Sequence, residues 1–577
     1  MINKYYQREL SRLHELAAEF ARANPGLAPM LSGPRADPDV ERLLEGSAFL
    51  SGLIHERLDD DFPEMVHGLM QLIFPHYLHP IPSTTIIQFK PRSNLMEKYQ
   101  VKAGTQIASK PVNGVSCLFT TSTTVDLYPL EITRVELEQQ AGSKPRLAME
   151  FKLKAMPLAA MSTDTLSLHV TGDATNAAEI CWSLIRHTEF MRLLPASGQG
   201  SALTLNKKNL RLGGFTDDQS LLPYPSQSFS AYRLLQEFFI LPEKFHFLHI
   251  DGFNQWINRG TSDSFRLEFN FDAANVTPPE YKKKNFVLFA TTAINLFPES
   301  AQPILLDHRQ PEYRVIPAGG QDNKEVYSIR RVTGFIQGAS KPRDYEPFEM
   351  FNPNVEMIPV YSIHHRRSVI DDKTDLLISV AYPPQAGIPK PETLSIDILC
   401  TNGDLSRHLH YGDINQPTDT SPELATFENI LPPTATVQPP LGRNLLWRLL
   451  SHLYLNYLSM ANPDSLRAIA KLYIFPETTD RAKLLTNTRR VEGIRDLQIT
   501  ASYRLVSGIM MRGQDIHLSL DPQNFSGVGD MFMFGAVLQN FLARYAAINC
   551  FTQVTVENSN TKESYTWRET PGSMQIL

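Results

Sequence analysis

Pro75, Pro80 and Pro82 lie close together, and the chain changes its period across them. Proline lacks a backbone N–H and its ring clashes with the preceding turn, so no helix continues through such a stretch. Before it, apolar residues recur at helical spacing. Tyr6, Leu10, Leu13, Ala17 and Phe20 step by four, three, four and three residues, which places one apolar seam on one helix face. The seam is shorter than the ~3–4 heptads of a self-sufficient coiled coil, so it needs partner helices from this chain or another. A second helix is expected from Asp37, with Pro38 in its first turn and Val40, Leu43, Leu50, Ile54 and Leu58 on its apolar face. The acidic run Asp59–Asp61 ends that helix and opens a third, whose buried face is Val66, Leu69, Met70 and Ile73.

Beyond Pro82 the pattern is that of short strands. Thr84–Phe89, Val135–Glu138, Ala148–Lys154, Leu166–Val170, Phe265–Phe271, Asn285–Ala290, Val326–Val332 and Leu394–Leu399 alternate or are β-rich, and Gln100–Ile107 reads as two strands around Gly104. Short helices are expected near Ala177–Arg186 and Ser230–Phe239. Gln416–Pro440, rich in Pro, Thr and Ser, reads as a linker or extended arm. Arg443–Met460 is apolar on nearly every side, the mark of a buried helix, and Asn462-Pro463 opens another. Near the end, Asp530 is expected to cap a helix with the seam Phe534, Leu538, Phe541, Tyr545 and Ile548. A half-buried strand through Thr552, Val554 and Val556 follows. That seam serves either the interior of its own domain or, in part, a neighbouring subunit. The whole is an α+β, multidomain chain: an N-terminal helical block (1–82), a β-rich middle (83–330), a second β-rich region with the Pro-rich stretch (331–440) and a C-terminal α/β domain (441–577).

The net charge is −6, and residues 1–82 hold 7 basic and 12 acidic side chains, so most of the imbalance sits in the helical block. An acidic head disfavours nucleic acid and anionic membrane surfaces. The N-terminus lacks the apolar core of a signal peptide, and the apolar run at Phe286–Phe297 falls short of the ~20 residues a bilayer span needs. Cys117, Cys181, Cys400 and Cys550 are widely spaced, as expected of free thiols in a reducing compartment.

No phosphate-binding glycine loop, zinc-helix motif or nucleophile elbow is present. Gly527-Val-Gly529 is too short a fragment to make a nucleotide site. Three histidine groupings remain. His76 and His79 sit three apart, open to a metal reading if Asp59–Asp61 folds back, or to hydrogen bonding within a Pro-rich turn. His246 and His249, at odd spacing on a strand, face opposite ways. His364-His365-Arg366-Arg367 is the one compact basic cluster, either a dock for an acidic group or a solvated loop. Arg467 and Lys471 are too few basic groups for a DNA-reading helix. Catalytic, cofactor and metal sites are therefore expected to be absent.

Several segments together resemble one family. Tyr5–Phe20, Asp37–Glu45, Leu58–Glu64 and Pro75–Ser83, then Glu243–Phe253, Thr291–Ile304, Trp447–Met460 and Met531–Val554, are similar to the TssF proteins (also VasA or ImpG) of the type VI secretion system baseplate. Tyr361–Thr426 carries no recognisable family segment. The resemblance implies a structural wedge protein without catalysis or cofactor. It implies assembly with TssG, a second TssF copy, TssK and TssE around the VgrG spike, to support the contractile tail. It also implies a cytoplasmic location, docked at the inner membrane through the baseplate and membrane complex, with no nucleic acid and no membrane insertion. On this reading Tyr6, Leu10, Leu13, Phe20, Leu50, Ile54, Phe534, Leu538, Phe541 and Tyr545 are the candidate subunit-interface residues. Alternatives from other classes are a contractile-phage-type wedge protein outside a secretion system, or a cytosolic enzyme or carbohydrate-binding protein.

Overall fold

The computed structural model describes residues 2–24, 38–59, 63–139, 144–196, 200–225, 228–272, 279–320, 323–336, 341–348, 358–367, 374–383, 391–440, 448, 450–451, 462–475, 480–506 and 509–572. The chain forms two compact units, one of Met1–Leu72 with Leu441–Ser451, the other of Ile73–Pro440 with His452–Leu577. The architecture is mixed α+β, with several separate sheets.

Among the described residues most helices fall where the apolar period places them. The helices are α1 (Ile2–Ala23), α2 (Pro38–Asp59), α3 (Pro63–Ile73), α4 (Ala174–His187), α5 (Ala231–Ile240), α6 (Pro463–Leu472), α7 (Arg481–Glu492) and α8 (Val528–Tyr545). Of these, α7 was not expected from the sequence. Local capping fixes several starts. Asp173 accepts from the Asn176 N–H, Asn462 accepts from the Asp464 N–H with Pro463 in the first turn, and Asp480 accepts from the Lys483 N–H. Two expectations need correction at α8. Asp530 lies inside the first turn rather than at the cap, and Gly527 takes the cap position. The helix also stops at Tyr545, so Ile548 leaves the seam and is half exposed. The helix expected over Arg443–Met460 lies largely outside the described residues.

In the larger unit, one five-stranded sheet runs 425–429, 84–91, 290–294, 115–121, 106–112, all antiparallel. Its core gathers Ile87, Phe89, Ile107, Phe119, Ala293 and Phe427. The Pro-rich stretch Gln416–Pro440 is thus an extended arm laid onto this sheet. Gln416 bridges Ala108, Phe427 pairs with Phe89, and Val437 bridges Ile81. A second five-stranded sheet runs 203–206, 188–195, 264–271, 146–153, 130–138, and a four-stranded one runs 210–212, 247–251, 165–170, 286–288. The chain passes from the latter into the first sheet at Phe289, whose φ is 58° and whose carbonyl accepts from the Phe89 N–H. A larger sheet is centred on 392–401 and 325–336, around Val332, Ile378, Ile396 and Ile398.

The C-terminal sheet pairs 494–506 with 509–520 antiparallel and 509–520 with 550–558 parallel. Parallel neighbours need a crossover, and α8 supplies it. From Thr552 on, strand 550–558 alternates as its sequence demands, with Thr552, Val554 and Val556 buried and Gln553, Thr555 and Glu557 half-buried; Phe551, on the other face, is buried as well.

Candidate functional site

The polar groups that suggested chemistry are used for packing. His76 is buried, with Nδ1 2.9 Å from Ser228 Oγ and Nε2 3.1 Å from Tyr473 Oη. Its partners are side-chain hydroxyls rather than backbone groups. The ring lies in an aromatic cluster, parallel to Tyr473 at 6.1 Å, and Tyr473 stacks on Tyr232 at 5.2 Å. His79 instead packs 4.8 Å from Tyr327. Asp60 and Asp61 lie outside the described residues. Among the described residues, no group of three His, Cys, Asp or Glu side chains gathers in a way that could hold a metal ion. Cys117, Cys181 and Cys400 are buried free thiols; Cys550 is half-buried and also free.

His246 ends a short 3₁₀ turn and His249 lies on strand Phe247–Asp251; both are buried. His249 Nδ1 is 2.6 Å from Ser167 Oγ, and Nε2 is 3.1 Å from the Gln219 amide. A serine beside a histidine invites a nucleophilic reading, but the group behind the imidazole is an amide, not a carboxylate. Burial also pushes His249 down to about 4, so it is a weak base at neutral pH. The adjoining cleft, about 580 Å³, is lined by Ser167, Gln219 and His249 among others.

The basic cluster is a strand, Val360–Arg367, not a loop. Its alternation sorts the residues. His364 Nδ1 and Arg366 both meet Glu312 at 2.7 Å on the exposed side, while His365 turns inward. Arg467 pairs with Asp464 and donates to the Ile494 carbonyl, so it too is committed within the fold.

A buried ionic group escaped the sequence reading. Lys244 Nζ contacts Glu237 and donates to the Gly214 carbonyl at 2.8 Å, while Glu237 accepts from the N–H groups of Leu221 and Leu222 at 2.7 and 2.9 Å. Burial lowers the Lys244 pKa against the pull of Glu237. The available signal was Glu237 and Lys244 standing inside an otherwise apolar run, where charges persist only if paired. The glycine pair at the start of α8 also has a packing reason. A Cβ on Gly529 would come within 2.4 Å of the Ala178 backbone, and the Gly529 N–H donates to Glu179 at 2.9 Å, so α4 and α8 meet closely here.

The candidate interface residues fall into two environments. Phe534, Leu538 and Phe541 are fully buried and Tyr545 nearly so, enclosed by the chain's own elements. Phe541 lies 6.0 Å from Tyr232 and 5.2 Å from Tyr545. The N-terminal helices are different. α1 packs against α2, and among the described side chains the buried positions of the pair are Glu9, Ala17 and Ala21 on α1 and Ala48 and Gly52 on α2, small residues except for Glu9. This turns the apolar seam partly outward, because small residues allow closer helix approach than large ones. Tyr6, Leu10 and Leu13 are half-buried, and Phe20 is 53% exposed rather than buried. On α2, Leu43 is 71% and Leu50 63% exposed; the side chain of Ile54 lies outside the described residues. Leu16 and Phe49 are exposed too. Leu16, Phe20, Leu43, Phe49 and Leu50 therefore stand as large exposed apolar side chains on this helical unit.

The family model described as "Type VI secretion system, TssF" matches residues 1–574, which includes the stretch Tyr361–Thr426 where no family segment was legible. The chain is 30% identical to the type VI secretion system component TssF1 of Pseudomonas aeruginosa, over all of this chain and 99% of that protein. A chain from the cryo-electron microscopy structure of the type VI secretion system TssK-TssF-TssG baseplate subcomplex is similar in fold, with a TM-score of 0.77 and 28% identity. That match covers 92% of this chain and 98% of the other. A chain of the baseplate complex from the type VI secretion system is similar over the full length of both, with a TM-score of 0.66 and 25% identity.

Proposed function

Since the chain belongs to the TssF family of type VI secretion system baseplate components, we propose that it is a wedge subunit that assembles with TssG and TssK. It acts as a structural part, not an enzyme. In the full reading, a second copy of the chain shares the wedge, TssE attaches to it, and wedges surround the VgrG spike to support the contractile tail. The work is done on the cytoplasmic side, with the baseplate docked at the inner membrane through the membrane complex. Among the described residues no helix is long and apolar enough to cross a membrane.

The observation that supports this most is the outward apolar face of α1 and α2. Leu16, Phe20, Leu43, Phe49 and Leu50 are all exposed, while the buried described positions of the pair are Glu9, Ala17, Ala21, Ala48 and Gly52. Covering a large apolar side chain contributes about 1.5–3 kcal/mol, so a few such residues suffice to hold a stable helical joint. The test is a Leu43→Asp, Leu50→Asp double variant, co-expressed with TssG and TssK proteins. Loss of co-purification with an unchanged melting temperature supports the reading. Normal recovery of the complex refutes it.

A further inference from the structure

Where strand Phe286–Leu288 leaves its sheet at Phe289 and the chain enters the neighbouring one, the two sheets diverge and leave a cleft of about 960 Å³. Its floor is apolar, with Phe286, Val287 and Leu288 buried and Ile430 and Leu431 at one wall. Its rim is basic: Lys90, Arg92, Lys154, Lys283 and Lys284 line it, against the single carboxylate Glu131. Lys154 is satisfied by Glu131 at 2.7 Å and Lys90 by Glu428 at 2.5 Å. Among the described residues, no carboxylate pairs with Arg92, Lys283 or Lys284, and all three are exposed. This concentration stands out in a chain whose net charge is −6.

We infer that this cleft docks an extended acidic segment of a partner protein, its apolar side chains on the floor and its carboxylates against Arg92, Lys283 and Lys284. Charge complementarity selects the sign of the occupant. The floor selects its class. Phosphodiester backbones gain nothing from a bed of phenylalanine, valine and leucine. An extended polypeptide alternates its side chains between two faces and so satisfies floor and rim together.

The experiment uses the full chain and fluorescence anisotropy. Three probes are compared: a short labelled peptide alternating glutamate with valine, its lysine-for-glutamate counterpart, and a labelled single-stranded oligonucleotide of matching charge. The acidic peptide should bind, and more weakly as salt shortens the range of the field. The lysine peptide and the oligonucleotide should bind at least tenfold more weakly. The variant R92E/K283E/K284E should lose at least tenfold in affinity for the acidic peptide with an unchanged circular-dichroism melt, since the three side chains are exposed, and the milder R92Q/K283Q/K284Q should fall between. Equal binding by the wild-type and charge-reversed chains overturns the inference. So does tighter binding of the oligonucleotide, or no binding of the acidic peptide at low salt.

Discussion

Replacing Phe541 by alanine measures whether the seam of α8 is core. The ring is fully buried and lies against Tyr232 of α5 and Tyr545 of its own helix. An aromatic side chain of this kind removes about 150–250 Å² from water. At about 25 cal/mol per Å² that is a gross contribution of roughly 4–6 kcal/mol, part of which alanine retains. The two edge-on or tilted ring contacts add about 0.5–1.5 kcal/mol each at most. Phe→Ala changes in cores cost about 3–5 kcal/mol, and the surroundings here have little freedom to collapse because Phe534, Leu538 and Leu542 on the same helix are themselves fully packed. Against a typical stability of about 5–15 kcal/mol, such a loss is a large fraction. The assay is urea unfolding followed by far-UV circular dichroism and by tyrosine and tryptophan fluorescence. The midpoint should fall clearly with the slope unchanged. Phe541→Leu, which refills most of the volume, should recover much of the loss. Ile548→Ala, beyond the helix end and half exposed, should change stability by less than about 0.5 kcal/mol. A Phe541→Ala chain that unfolds like wild type, yet no longer co-purifies with its partners, refutes the core assignment and places the residue at an interface.

Acid should destabilise the protein well before its carboxylates protonate. Burial holds His169, His246 and His249 at about 4, below the unfolded value near 6.5. Between those limits the unfolded chain binds protons that the folded chain refuses, so stability is present above about pH 6.5 and is lost as pH falls towards 4, by up to ~1.4 kcal/mol per pH unit for each histidine. A flat melting temperature from pH 7 to pH 5 would contradict this. His76→Ala should cost about 1–3 kcal/mol because it removes a buried ring and its hydrogen bonds to the Ser228 and Tyr473 hydroxyls, whereas His364→Ala, at an exposed ion pair, should cost less than about 1 kcal/mol; equal chemical-denaturation midpoints for the two would refute the placement of His76. Lys244→Met should destabilise by up to about 3–5 kcal/mol by removing the nearer cation of buried Glu237 and leaving only Arg233, 3.7 Å away, and adding Glu237→Leu should restore part of that loss. Melts of the single and double variants decide it: a double variant no better than the single would show that the pair is not the cause.

Local pattern determined much of this protein. The helical period set α1, α2 and α3, and the three prolines after them forced the change to strands. Asn462-Pro463 marked the start of α6, and strict alternation marked strand 550–558. The absence of catalytic spacing and the ordered family segments pointed to a structural baseplate protein. Periodicity says which side chains share a face; it does not say what that face meets. Strand 84–91 pairs with 425–429, a contact that joins Lys90 to Glu428 across 338 residues, and nothing in either strand names the other. The same limit explains α1, where burial follows the alanines at the close approach to α2 and leaves Phe20 outward. It explains His364 to Arg367, whose charges suggested a loop until a neighbouring strand and Glu312 gave them an ordered place. The basic cleft beneath Arg92 and Lys283 exists only after distant segments pack. Sequence fixes local dihedral preference and the side a residue faces. Which segments pair is decided by complementarity between distant surfaces, and that only the tertiary structure displays.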